Sequence, residues 1–228
     1  MSQFVRFAIY YLPPDGPLAE FGARWLGWDV GVGQSVAHPT NALSEARVEE
    51  VTRTPRKYGF HGTLKPPFRL AEGTDGSQLH TAVRTLAAGL APVTLDRLRL
   101  ARLGHFLALV PEGDTTALGQ LAARCVTEPD RFRAPASEAE LARRRAAGLT
   151  ARQEDMLRRW GYPYVLEEFG FHLTLTGRLQ PDEMDEVEAA LALALPALPK
   201  PYIIDQIALA GERSDGRFQL IHRYALTG

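Results

Sequence analysis

Residues 4–12 are crowded with aromatic and β-branched side chains and stop at Pro13-Pro14, the pattern of a strand closed by residues that cannot extend a ladder. Behind Pro17, whose fixed φ suits a first helical turn, Leu18, Phe21, Trp25 and Leu26 recur at helical spacing, so a helix is expected there. Residues 29–43, with Gly31, Gly33, Pro39 and Asn41, read as loop, and a short helix is expected over 44–51. Residues 58–64 read as a strand broken by Pro66-Pro67, and Ser77 is placed to cap a helix over 77–88. Strands are expected over 93–100 and 106–110, then a helix from Asp114 to Val126. Ser137-x-x-Glu140 and Thr150-x-x-Gln153 are capping boxes, each opening an Arg-rich helix. Residues 171–176 read as a strand, Pro181-Asp182 as the start of a helix to Leu195, and 202–210 with 218–224 as a hairpin around Ser214-Asp215-Gly216.

The order repeats. After His61 come a helix, a strand and a second strand that opens at Phe106; after His172 come a helix, a strand and a second strand that opens at Phe218. Two copies of one such unit imply a pseudo-twofold α+β protein, a single domain over residues 1–228 with one lobe carrying His61 and the other His172.

Composition adds limits. A net charge of −1 gives no global attraction to nucleic acid or to an anionic membrane, so any anion site must be local. Cys125 is the single cysteine, which rules out an intrachain disulfide and makes a reducing cytoplasm the expected compartment. It falls in the apolar rhythm of Leu118, Leu121, Ala122 and Val126, as a buried inert thiol would. The N-terminus has no basic leader, and the most apolar run, 189–195, stops at Pro196, too short to span a bilayer. A soluble chain with no membrane partner is expected.

The chemistry lies in a duplicated segment. Gly59-Phe60-His61-Gly62-Thr63-Leu64 and Gly170-Phe171-His172-Leu173-Thr174-Leu175 agree at five of six positions. In a strand, residues i and i+2 share a face, so His61 projects with Thr63 and His172 with Thr174 and Thr176, while the phenylalanines and leucines point to the core. Two such pairs across one cleft suit in-line displacement at a phosphate. One neutral imidazole takes a proton from the attacking hydroxyl or water, the other donates to the leaving oxygen, and the threonine hydroxyls hold the non-bridging oxygens. A lone strand histidine is usually structural, but two unrelated core histidines have no reason to share flanks. A zinc reading competes, but a catalytic zinc needs three protein ligands, and Glu167 or Glu168 would have to fold in beside the histidines.

Paired His-x-Thr-Leu segments resemble the two-histidine phosphoesterase superfamily, which includes RNA 2′,3′-cyclic phosphodiesterase/ligase-like (LigT-like) proteins. The longer stretch from Thr54 through Tyr58 and Lys65 to Phe68, with Trp160-Gly161-Tyr162-Pro163-Tyr164-Val165 ahead of the second motif, resembles the branch associated with phosphonate metabolism. The resemblance implies a bilobal fold, two antiparallel sheets flanking a central cleft with helices outside. It also implies no metal or other cofactor, and a cyclic phosphodiester of a small phosphorylated ribose or nucleotide as substrate. It carries catalytic roles to His61 and His172 and phosphate binding to Thr63 and Thr174. Gly62, where the second motif has Leu173, is a departure that makes the two lobes non-equivalent.

Lys65 and Thr176, two residues beyond the threonines, are expected to extend the phosphate set, and Tyr58 to stack on a base or sugar, as Tyr10 or Tyr11 could. Arg56 and the basic run Arg143-Arg144-Arg145 with Arg152, Arg158 and Arg159 read first as solvated charge. His38 (in the isolated triplet His38-Pro39-Thr40), His80, His105 and His222 read as structural. Two other functions remain open: an enzyme acting on RNA ends, which the near-neutral charge disfavours, and a non-catalytic nucleotide-binding module, which would not need two titrating groups. The sequence does not give the oligomeric state.

Overall fold

The computed structural model describes residues 4–40, 43–146 and 148–228. Its strands are β1 (Arg6–Tyr11), β2 (Trp28–Asp29), β3 (Gln34–Ser35), β4 (Gly62–Phe68), β5 (Val93–Leu95), β6 (Arg97–Leu103), β7 (Phe106–Glu112), β8 (Leu173–Thr174), β9 (Tyr202–Ile204), β10 (Gln206–Glu212) and β11 (Phe218–Ala225). Its helices are α1 (Pro17–Leu26), α2 (Glu45–Arg56), α3 (Gly76–Ala88), α4 (Thr116–Thr127), α5 (Glu138–Arg145), α6 (Ala151–Trp160) and α7 (Met184–Ala194). Local chemistry accounts for most of the boundaries. Pro17 opens α1 and Gly27, in the left-handed region, closes it. Ser137 and Thr150 form the two expected capping boxes. In α3 the cap is Asp75, two residues before Ser77, because Asp75 and Gln78 make the same reciprocal pair of bonds.

The main sheet has the order β11-β10-β1-β4-β8-β7-β6, antiparallel throughout. It is two antiparallel sheets, β11-β10-β1-β4 and β8-β7-β6, joined by the single pair Gly62↔Leu173. β1 shows how the layers form. Phe7, Ile9 and Tyr11 enter the large core shared with α1, α2, α3, α4 and α7, while Ala8, Tyr10 and Leu12 enter a smaller cluster with Trp28, Val30, Ala208, Ala210 and Phe218. Leu64 and Leu107 from the first copy share the large core with Leu173 and Leu209 from the second.

The repeat is visible as β4-α3-β5-β6-β7 followed by β8-α7-β9-β10-β11. Equivalent strands of the copies pair with each other twice, β4 with β8 and β5 with β9, the latter through Val93↔Ile204, Thr94↔Ile203 and Leu95↔Tyr202. β1 breaks the symmetry: it lies between β10 and β4, whereas β7 pairs with β8 directly.

Several expected boundaries move. The strand expected over 58–64 is β4, which starts later and runs on through Pro66-Pro67. Beyond Gly62 no described strand pairs on that edge of β4, so prolines without an N–H leave no ladder bond unmade there. The strand expected over 171–176 shortens to β8, although Leu175 and Thr176 both donate their N–H to the Leu107 carbonyl. The stretch expected as loop over 29–43 contains β3, which pairs with β2 as a small hairpin, and Asn41 lies outside the described residues. Among the described residues no helix is long and apolar enough to cross a membrane.

Candidate active site

The pair Gly62↔Leu173 sits at the centre of both His-x-Thr motifs. An antiparallel register through that pair sets His61 opposite Thr174 and Thr63 opposite His172, with all four side chains on one face. Neighbours along each strand are then ~6.5–7 Å apart and neighbours across the pair ~4.5–5.5 Å apart, a compact quadrilateral with the imidazoles on one diagonal. Phe60, Phe171 and Leu173 are buried behind it.

Only glycine fits at the centre of the first motif. A Cβ on Gly62 would lie 2.4 Å from the Phe171 ring, so the two strands could not approach as they do. The mismatch between the repeated segments therefore sits where they touch.

Each histidine is oriented the same way. His61 Nδ1 lies 2.9 Å from the Gly59 carbonyl and His172 Nδ1 lies 2.8 Å from the Gly170 carbonyl. A carbonyl only accepts, so both Nδ1 atoms carry the proton and both Nε2 atoms are left for chemistry. Gly59 reaches this position with φ 73°, and a Cβ there would lie 2.4 Å from the Val30 side chain. The Thr63 hydroxyl, 3.1 Å from His61 Nε2, donates to it.

Burial pushes the His61 imidazole down to about 4; the bond to Gly59 opposes that shift and the nearby His172 adds to it. His61 is stacked on Tyr10, with ring centroids 3.9 Å apart, and Tyr58 lies 6.0 Å away. Phe106 packs against His172 at 5.7 Å. A cavity of about 490 Å³ opens beside His61 and Thr174, lined also by Tyr58, His105, Phe106, Thr176 and Arg178; Thr63 and His172 are not among its lining residues. That volume suits a small ligand.

Two expected site residues are not available to a ligand. Lys65 is 2% exposed, and its ammonium donates to the Val126 carbonyl at 2.7 Å and to Asp130 at 3.0 Å. The reason is a register shift: Tyr10 pairs with Thr63 but Ile9 pairs with Lys65, so an extra residue on β4 breaks the alternation and turns Lys65 away from Thr63. Thr176 borders the cavity but is buried, and its hydroxyl oxygen accepts from the Leu107 N–H at 2.9 Å, which pins β7. Tyr58 lines the cavity as expected.

Tyr10 supports His61 and does not face a ligand base, while Tyr11 points to the core and bonds Tyr202. Arg56 braces the Leu26 carbonyl, Glu49 and Thr52. His105 and Arg178 line the cavity mouth without having stood out in the sequence, because neither belongs to the duplicated segment. Among the described residues no three His, Cys, Asp or Glu side chains cluster as metal ligands; Glu167 faces Arg152, and Glu168 accepts from Gln153.

The family described as Protein of unknown function (DUF1045) matches residues 63–219. A Janthinobacterium sp. (strain Marseille) protein named Ribose 1,5-bisphosphate phosphokinase PhnN is 40% identical over 224 residues, covering 94% of this chain and 49% of that protein. A Laribacter hongkongensis (strain HLHK9) protein of the same name is 39% identical over 184 residues, covering 79% of this chain and 42% of that one. The chain thus spans about half the length of the curated relatives it matches. Among solved structures, E. coli LigT complexed with NADP+ aligns over 99% of both chains at 16% identity and a TM-score of 0.45. A crystal structure titled phosphoesterase aligns over 99% of both chains at 16% identity and a TM-score of 0.43.

Proposed function

The chain belongs to the DUF1045 family, and from that premise we propose that it is a phosphoesterase that opens a cyclic phosphodiester on a small phosphorylated ribose or nucleotide, without a metal. The observation that carries this reading is the pair Gly62↔Leu173, which sets two His-Thr pairs on one face, each Nδ1 held by a glycine carbonyl and the His61 Nε2 meeting the Thr63 hydroxyl. His61, held neutral by burial, takes the proton from the attacking water. His172 gives a proton to the leaving ribose oxygen, so the P–O bond to the ribose breaks as the P–O bond to water forms, and the proton that His61 takes is matched by the one that His172 gives. Thr63 and Thr174 donate to the non-bridging oxygens, with the Thr63 hydroxyl exchanging its bond to His61 for one to the phosphate.

The names of the relatives support a phosphorylated ribose, because those proteins are named for a ribose bisphosphate. The chain has no G-x-x-x-x-G-K-[S/T] segment to cradle nucleotide phosphates, so the kinase half of the name is not carried over, only the sugar phosphate. Phosphonate metabolism is the process this substrate class fits. The test is a panel of ribosyl 1,2-cyclic phosphate, nucleoside 2′,3′-cyclic phosphates and 2′–5′ dinucleotides, assayed with chelator present. We expect turnover of a cyclic phosphate that falls ~10²-fold or more in His61→Ala and in His172→Ala. Turnover at wild-type rate in either variant, or a strict zinc requirement, would defeat the reading.

A further inference from the structure

The basic run is largely neutralised by its own neighbourhood. Arg145 pairs with Glu154, Arg152 lies near Glu167 and Glu168, Arg158 near Glu154 and Asp155, and the Arg159 guanidinium stacks over Trp160. Arg143 and Arg144 pair with no carboxylate among the described residues. These two line a recess of about 40 Å³, together with Arg6, Arg69, Arg133 and Glu140.

The other guanidiniums of the recess are held rigidly. Arg6 grips Glu212, Arg69 grips Glu140 and Arg133 grips Asp130, each through two bonds. Lys65 shares Asp130. Five arginines therefore meet three carboxylates, Glu212, Glu140 and Asp130, around one small space, an excess of two positive charges in a chain whose net charge is −1. Arg144 is set in place by the Tyr162 ring, 4.5 Å beneath its guanidinium.

The recess and the histidines share a surface. Arg6, Ala8 and Tyr10 alternate onto one face of β1, and His61 stacks on Tyr10, so Arg6 stands ~13 Å along the strand from the catalytic ring's support. Between them the Tyr10 hydroxyl is buried without a hydrogen-bond partner, with Tyr58, Arg6 and Tyr162 as its electrostatic neighbours. An unpaired buried hydroxyl is costly, and this one lies on the strand face that carries both Arg6 and the support of His61.

We propose that this recess is a second anion subsite, which takes a phosphate monoester on the same molecule whose cyclic phosphodiester lies between His61 and His172. The identity of that molecule rests on the phosphoesterase reading; the anion site itself does not. The recess is open to solvent, and the unpaired guanidiniums of Arg143 and Arg144 beside it are suited to the oxygens of a terminal phosphate. The substrate class is then a small sugar with two phosphoryl groups, one cyclic and one terminal.

Calorimetry of inorganic phosphate with the full chain tests the site. Two anions should bind the wild type, one the His61→Ala/His172→Ala variant and one Arg143→Gln/Arg144→Gln. Kinetics test its use. A nucleoside 2′,3′-cyclic phosphate bearing a 5′-phosphate should exceed its unphosphorylated counterpart by ~10-fold or more in kcat/KM, and Arg143→Gln/Arg144→Gln should erase that preference through KM. Two anions on the arginine variant, one on the wild type, or a preference that survives the substitutions overturns the proposal. Phosphate bound at the recess with no cyclic phosphate turned over would sink the catalytic reading and leave the subsite standing.

Discussion

An imidazole pushed down to about 4 is neutral through the physiological range, which suits His61 to the base's role in the proposed reaction. Activity should therefore persist on the acid side until pH falls through about 4, where His61 gains a proton and can no longer accept one. The same shift bears on stability. The folded pKa lies below the ordinary 6.5, so between those values the unfolded chain binds more protons, and stability declines as pH falls from 6.5 toward 4. Urea unfolding at pH 7 and pH 5 reads this, and His61→Asn should flatten the dependence; an unchanged slope would mean the ring is not buried. Lys65 is a second case at this scale. Lys65→Ala removes the partner of the Val126 carbonyl and should destabilise by ~1–3 kcal/mol while leaving KM unchanged. A raised KM at full stability would return Lys65 to the cleft. That the strands carrying His61 with Thr63 and His172 with Thr174 come together was legible because the motif repeats; that Lys65 turns away from Thr63 was not, because the sequence gives no sign of a bulge that interrupts alternation.

Among elements, the junction of β4 and β8 matters most. It is one residue pair long, and it depends on Gly62 because any larger side chain meets Phe171. Gly62→Ala should destabilise by ~1–3 kcal/mol, as overpacking does, and reduce kcat, because the strand that carries His61 must move relative to the strand that carries His172. Thermal unfolding with single-turnover kinetics checks this, and wild-type behaviour in both would mean the junction is slack. Helix ends were legible where capping chemistry was explicit, at Pro17, Ser137 and Thr150. Strand ends were not, since β4 continues through Pro66-Pro67 for a reason external to it, the missing partner on one edge. The split between β5 and β6 likewise reflects the pairing of β5 with β9 more than a hundred residues away.

For the whole molecule, duplication explains why the site sits where it does. Equivalent strands meet in pairs, so the two copies of one motif arrive at a common face with their imidazoles in matched orientation. The order of elements after each histidine made this symmetry legible; the insertion of β1 beside β4 alone was not, because nothing in the repeat encodes it. β1 also makes the halves unequal in chemistry, since it supplies Tyr10, 3.9 Å from the His61 ring, whereas the aromatic neighbour of His172 is Phe106 of β7 at 5.7 Å. If the two imidazoles act on one phosphorus, they act as a unit, and removing the second after the first should cost almost nothing further. The direct measurement is kcat/KM on a cyclic phosphodiester for wild type, His61→Ala, His172→Ala and the double variant. We expect each single change to lower it ~10²–10⁴-fold and the double change to match the weaker single variant. Losses that multiply in the double variant would contradict a shared reaction centre.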